Sequence, residues 1–341
     1  MGASARAAPD AAAADPARTA PAEAHLSTLG PGAEFDRIRA IARVLGPRAA
    51  ELGDDCALVP LGGGFLAIST DVSVDAVHFQ REWLSLPEIG WRASAAALSD
   101  LAAVGASPAG ILVALTAPPS LTTDDVVALM DGAGAAASAV GAPVLGGDLS
   151  AGATLQLAVT VVGSTARWLG RGGARVGDGL WVTGALGGAR TALLAWQAGV
   201  DPDPEARRAF AQPTPQLRAG QWLAQAGARA MIDLSDGLAG DAAHLAASSS
   251  CRARIDLGRL PLHSSLAGGN RHEALLTAAR GGEDYELLVA LPPAFTEREA
   301  AGMTAQTGVP LAQVGRLEEG AGVGLFLEDA PVSLEGFSHF T

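Results

Sequence analysis

The chain has 341 residues, enough for one large or two ordinary domains, and 49% of them are apolar, as in soluble globular proteins. A net charge of −13 argues against nucleic acid and anionic membrane surfaces as partners, and no apolar run is long enough to span a bilayer. No position holds lysine, so all 23 basic residues are arginine, which excludes a P-loop and a protein-kinase-type catalytic lysine.

Residues 1–28 are rich in Ala, Pro and Asp without periodicity and lack a signal peptide's apolar core; they read as a disordered extension. Glu34 to Leu45 then reads as a short amphipathic helix and Phe65 to Ser69 as a strand. Pro87 to Val104 has helix length and stops at Gly105. Ile111 to Leu115, Val144-Leu145 and Leu155 to Val162 are predicted strands, with a helix over Thr123 to Val140. A basic, glycine-rich link, Gly170 to Arg175, leads into a second set. There the strands are expected at 180–182, 230–232, 253–257 and 286–291, with a final pair, and the helices near 188–198, 214–226, 238–247 and 295–306. Such alternation predicts two α/β domains, 29–164 and 165–341, with mixed sheets and flanking helices.

Six acidic motifs punctuate this pattern: Gly53-Asp54-Asp55, Ser69-Thr70-Asp71, Leu98-Ser99-Asp100, Gly146-Gly147-Asp148, Asp233-Leu234-Ser235-Asp236-Gly237 and Gly281-Gly282-Glu283-Asp284-Tyr285. Hard divalent cations take oxygen ligands, commonly a carboxylate or two plus substrate phosphates. Bound cations would also reverse the local sign and make an acidic protein compatible with a phosphate ester. Asp100 is the strongest case, because it lies in an Ala-rich helix with hardly a polar face and is costly to bury unless paired or metal-bound. The others have plainer readings: turn chemistry for Asp54, Asp55 and Asp148, a helix N-cap for Asp236, and a structural role for His78. Three motifs are expected at carboxyl ends of strands, where α/β sheets bind ligands: Ser69 to Asp71, Gly146 to Asp148 and Asp233 to Asp236. Cys56 and Cys251 lack metal-ligand spacing; Cys56 reads as a small buried filler, and the low count fits a reducing cytosol.

Taken in order and spacing, these motifs resemble the thiamine-monophosphate kinase family of the aminoimidazole-ribonucleotide-synthetase-like superfamily. The resemblance runs from about Glu34 to Phe340. It includes Gly53-Asp54-Asp55-Cys56-Ala57, Val77-His78-Phe79, Leu98 to Ala106, Gly170-Arg171, Ile232 to Leu238, Gly281 to Leu288 and Gly336-Phe337-Ser338-His339-Phe340. It implies two α/β domains of that superfamily's fold and an amino-terminal domain that dimerises. It also implies direct transfer of the γ-phosphoryl group of ATP to thiamine monophosphate, with several Mg²⁺ ions and no covalent intermediate. Carried over residue by residue, Asp55, Ser69, Thr70, Asp71, Asp100, Asp148, Asp233 and Asp236 would hold metal. Gly147, Asp148, Arg171 and Ser235 would contact ATP; His78, Glu283 and Phe337 would lie around the thiamine phosphate. The implied protein is a cytoplasmic homodimer.

Three departures accompany the resemblance. Ala97 stands where the family has Asn; Gly188 and Ala189 replace its Asp and Ser; Gln212 and Gln216 replace two arginines. Arg190 is expected to restore some of the lost positive charge. Two other readings remain, a sister ATP-dependent synthetase and a binding paralogue without turnover.

Overall fold

The computed structural model describes residues 29–49 and 52–333; the expectations for residues 1–28 and for Phe337 lie outside them. Helix α1 (Ala33–Leu45) precedes a loop and then a first sheet. That sheet contains β1 (Ala57–Leu61), β2 (Gly64–Val74), β3 (Ser107–Ala117), β4 (Val144–Ala151) and β5 (Gln156–Thr165). Its spatial order is β1-β2-β5-β3-β4, and all pairings are antiparallel except β3 with β4. Helices α2 (Leu86–Ala103) and α3 (Thr123–Ala139) connect its strands.

The second sheet comprises β6 (Gly179–Thr183), β7 (Ala230–Asp233), β8 (Arg252–Asp256), β9 (Leu287–Leu291), β10 (Leu311–Glu318), β11 (Gly322–Leu327) and β12 (Ala330–Val332). Its order is β12-β11-β8-β10-β6-β9-β7, with β8 and β11 parallel. Around it lie α4 (Gly188–Gln197), α5 (Pro204–Ala211), α6 (Leu217–Gln225), α7 (Leu238–Ser248), α8 (Arg271–Arg280) and α9 (Glu297–Thr307). One core runs from α2 and β5 (Leu98, Leu101, Val159, Val161) through to Trp181, Leu223, Met231 and Val289 of the second half. A second core fills the other face of the second sheet, around Val182, Ile232, Leu245, Ile255 and Val314.

The two sheets are therefore covered differently. The second is buried on both faces, whereas the first packs its helices on one. On β2 the buried positions Ala67 and Ser73 alternate with exposed Thr70 and Val72. Val59, Leu61, Val72 and Leu112 leave apolar side chains exposed on the open face. All eight residues of the edge strand β4 are exposed.

Several elements differ from the expected ones. Strand β2 continues through Val74, so Ser69-Thr70-Asp71 lies inside it rather than after it; ten consecutive pairings with β5 hold it extended. Gly146-Gly147-Asp148 likewise lies within β4. Strand β1 was hidden by Pro60, which an edge strand tolerates, and joins β2 through a two-residue turn at Gly62-Gly63, both at positive φ. Helix α5 starts from a local signal: Asp203 accepts the Glu205 and Ala206 amides and Pro204 occupies the first turn. Helix α8 is set up in the same way by Asn270.

Helices α2 and α3 approach so closely that two glycines are required. A methyl group on Gly90 would fall 1.9 Å from Leu129 O, and one on Gly132 would fall 1.9 Å from Pro87 O. Gly134, on the same helix, has only a methyl of Val144 at 3.9 Å. Gly90→Ala and Gly132→Ala are each expected to lower stability by about 1–3 kcal/mol in urea unfolding. Gly134→Ala should leave it unchanged or raise it by up to about 1 kcal/mol. Equal effects of all three would contradict the close approach.

Candidate active site

Strand β2 carries Ser69 and Asp71 on the face that meets α2. Helix α2, started by a Ser85/Glu88 capping box, delivers Asp100 to the same place one turn before its end. Ser69 Oγ donates to Asp100 Oδ2 at 2.5 Å. The plain alternative for Asp100, an arginine partner, does not occur among the described residues; a hydroxyl and other carboxylates surround it.

The loop 53–56 adds two more acids, and the link between the sheets locks them. Gly170 packs directly on Asp54, since a methyl there would fall 2.1 Å from Asp54 Oδ2. The Arg171 amide donates to both Asp54 oxygens at 3.1 and 3.3 Å. Its guanidinium then grips Asp55 with two parallel bonds, Nη2 to Oδ1 at 2.9 Å and Nε to Oδ2 at 3.2 Å. Cys56 is buried as expected.

From the second half, Asp233 ends β7 and the loop after it pairs with the loop before β9. Leu234 N donates to Glu286 O, Tyr285 N to Leu234 O, and Glu283 N to Ser235 O, at 2.7, 2.9 and 2.7 Å. This short ladder is why Ser235 and Asp236 stand beside Gly282 and Glu283. Glu283 and Tyr285 both adopt positive φ, 66° and 52°, a costly conformation for non-glycine residues that the ladder enforces. Asp236 does not cap α7 as expected; Gly237 holds that position, and Asp241 instead accepts the Asp236 amide at 3.3 Å.

These segments enclose a cavity of about 700 Å³. At one end the ligand-type oxygens of Asp55, Asp100 and Asp233 all lie within 4.8 Å of one another. Asp71, Ser69, Asp236 and Arg171 line the same end, and Thr70 borders it, although its hydroxyl turns to Thr160 on the open sheet face at 2.9 Å. The lining also includes His78, Trp83, Arg190, Leu193, Phe210 and Glu283. His78 Nδ1 accepts the Val74 amide at 3.1 Å, and Glu283 forms an ion pair with Arg92, whose guanidinium lies over the Phe210 ring. A third wall, from Glu34, Phe35, Asp241 and His244, was not foreseen. Phe35 and His244 stack at 4.0 Å, and a sequence offers no signal for such long-range contacts.

Asp148 and Gly147 are not brought to this cavity. Asp148 pairs in register with Ala114 and so shares a row with Ala158 and Val72 on the open face, opposite to Asp71. Three strand spacings separate it from β2, about 14 Å. Gly147 has a local role: a methyl there would fall 1.8 Å from Val113 O.

The electrostatics of the carboxylate end follow from burial with too little counter-charge. Burial, then the Asp55 charge, push Asp233 up to about 8. The same two causes push Asp54 up to about 7. Asp100 is raised well above the carboxylate range by burial and by Asp233, Asp55 and Asp71. Burial also raises Glu286 to about 7. Arg171, which burial would push down, is held protonated by Asp55, Asp54 and Asp233. A set of hard oxygen donors that resist ionising together suits a divalent cation, which can replace the missing protons.

A pH dependence follows. Carboxyls with raised folded values keep protons that the unfolded chain releases, so their stabilisation is complete below about pH 4 and is lost as pH rises to about 8. In chelator, stability should therefore fall between pH 5 and 8, each group contributing at most about 1.4 kcal/mol per pH unit. Asp233→Asn should flatten the profile in urea unfolding. A slope unchanged by that substitution would contradict the assignment.

Comparison with known proteins fits this architecture. Residues 53–165 match the family described as AIR synthase related protein, N-terminal domain, and residues 175–328 match AIR synthase related protein, C-terminal domain. The chain is 36% identical over 301 residues to the thiamine-monophosphate kinase of Halobacterium salinarum, covering 88% of this chain and 99% of that one. Against the thiamine-monophosphate kinase of Haemophilus influenzae it is 34% identical over 303 residues, covering 85% and 91%. A solved structure, AaThiL complexed with AMPPCP and TMP, superposes with a TM-score of 0.80 at 31% identity, covering 91% of this chain and 97% of that one. The hydrogenase maturation protein HypE in complex with ATP shares the fold, with a TM-score of 0.67 at 19% identity over 85% of this chain and 88% of that one. Similarity of this extent, along nearly the whole length of the relatives, establishes that the chain belongs to the thiamine-monophosphate kinase family.

Proposed function

We propose that this protein moves the γ-phosphoryl group of ATP onto the phosphate of thiamine monophosphate, giving thiamine diphosphate and ADP, in the cytoplasm. The observation that carries the reading is the gathering of Asp55, Asp71, Asp100 and Asp233, from four separate segments, in one cavity whose lining also includes Trp83, Arg171 and Arg190. Those four acids, with Ser69 and Asp236, would hold Mg²⁺; the Thr70 hydroxyl, turned to Thr160, would not reach them. The bound ions would neutralise the phosphates so that two anions can approach.

The chain's own residues set the geometry. Arg171 is pinned by Asp55 and presents its charge where the triphosphate would lie, beside Ser235. His78 and Glu283 would flank the acceptor, and Trp83, half-buried in the same lining, offers an aromatic wall suited to a cationic heteroaromatic ring. Phe337 is assigned to the acceptor by the family resemblance. In the transfer, the bond between the γ-phosphorus and its bridging oxygen breaks and a bond to an acceptor phosphate oxygen forms. No side chain is needed as nucleophile: Cys56 is buried, and burial together with Asp100 holds its thiol protonated. Position and charge neutralisation carry the reaction.

The purified protein, given Mg²⁺, ATP and thiamine monophosphate, should form thiamine diphosphate and ADP in equal amounts by chromatography. Asp71→Asn should lower kcat by at least about 100-fold while the circular dichroism spectrum is preserved. Turnover without Asp71, or none with the wild type, would overturn the reading.

We further propose a homodimer in which the first domains close their open sheet faces together, burying Val59, Val72 and Leu112. In that arrangement Asp148 and Gly147, remote from their own chain's cavity, would border the partner's nucleotide. Mixing refolded Asp71→Asn and Asp148→Asn proteins, each inactive alone, should then recover up to about a quarter of wild-type activity, because half of the random dimers carry one intact site. No recovery on mixing would mean that Asp148 serves its own chain or none.

A further inference from the structure

The phosphotransfer reading leaves one half-buried arginine of the cavity wall without a task. Arg190 is the third residue of α4, and its Cβ stands against Gly281, two residues before Glu283. The start of α4 is tied to that loop, since Gly187 N donates to both oxygens of Asp284 at 3.0 and 3.1 Å. Arg190 is thereby held at a fixed place on the cavity wall, in line with Leu193 and Gln197 of the same helix.

Among the described residues no anion pairs with Arg190. Its Nε is buried and, among the described residues, has no hydrogen-bond partner. Glu283, the nearby carboxylate on that wall, is already engaged by Arg92. Gly188 cannot be replaced by an acid without a clash, because a methyl there would fall 2.8 Å from Ala209 and from the His263 ring. A buried guanidinium N–H without an acceptor is unfavourable, and a phosphate oxygen is the group that satisfies it best.

We infer that Arg190 is a specificity residue that binds the phosphate of the acceptor, so that the site prefers a phosphate monoester to the corresponding alcohol. The inference rests on the phosphotransfer reading and deepens it. Arg190 lies on the helix whose Trp196 stacks on Trp83 at 5.2 Å and meets Phe210 edge-on at 5.2 Å, whereas Arg171 pairs with Asp55 among the carboxylates. Arg280 lines the same region but is exposed, so solvent screens it.

The test compares wild type, Arg190→Gln and Arg190→Lys, each checked for folding by thermal melting. With Mg²⁺ present, Arg190→Gln should raise KM for thiamine monophosphate by about 10- to 100-fold, the range for a hydrogen bond between charged groups, and leave KM for ATP within about twofold. Calorimetry should show the preference for thiamine monophosphate over thiamine collapsing in Arg190→Gln and partly returning in Arg190→Lys. An unchanged preference, or a rise confined to the ATP KM, would overturn the inference. Should the wild type show no turnover, titration with inorganic phosphate separates the two claims. Binding to wild type but not to Arg190→Gln would keep the anion site and discard the reaction; equal binding would discard the anion site.

Discussion

Everything in this molecule is arranged around the mutual repulsion of buried carboxylates. Asp55, Asp100 and Asp233 come from a loop, a helix and a strand, yet their oxygens lie within 4.8 Å of one another. One arginine, Arg171, offsets part of that repulsion, and it does so by holding Asp55 while its own backbone amide holds Asp54. Because Asp55 belongs to the first half of the chain and Asp233 to the second, the repulsion acts across the junction of the two sheets. The continuous core beneath, from Leu98 and Val159 to Met231 and Val289, is what keeps the halves together against it. Hydrophobic burial below holds an unfavourable charge cluster above, and the unfavourable cluster is the part that can do chemistry.

Backbone freedom is used sparingly and where it matters. Gly237 and Gly282 let the loops after β7 and before β9 cross at close range, and the ladder they form imposes positive φ on Glu283 and Tyr285. Gly170 lets the link pass against Asp54. The excess of glycine, roughly 13% of the chain, is thus partly explained by two crossings that set the cavity walls.

Much of this was legible in the residues, and the failures have physical causes. Asp100 announced itself because a carboxylate in an Ala-rich helix needs a reason, and α2 and α3 were visible from their length, α2 also from the stop at Gly105. The interior of β2 was cut short at Ser69 because an acidic motif looked like a strand end; cross-strand pairing with β5 is a tertiary fact that overrides the local signal. Pro60 hid β1 for the opposite reason, since proline forbids a central strand but not an edge. Family resemblance grouped Asp148 with the metal acids, yet the register puts it on the far face, a distinction that only strand order can draw. His244 and Phe35 stayed invisible because nothing local marks a stacking pair separated by two hundred residues.

The absence of lysine acquires a physical meaning at Arg171. A lysine in that position would face burial that lowers its proton affinity, and its single ammonium could not match both oxygens of Asp55. Arginine stays charged when buried and meets a carboxylate with two parallel bonds, which fixes direction as well as sign. The same property suits Arg190 as a waiting donor: with its Nε buried and unpaired among the described residues it keeps its charge, where a lysine could relieve the cost by losing a proton. A cavity with carboxylates at one end and obligate cations along its walls has a fixed polarity at neutral pH.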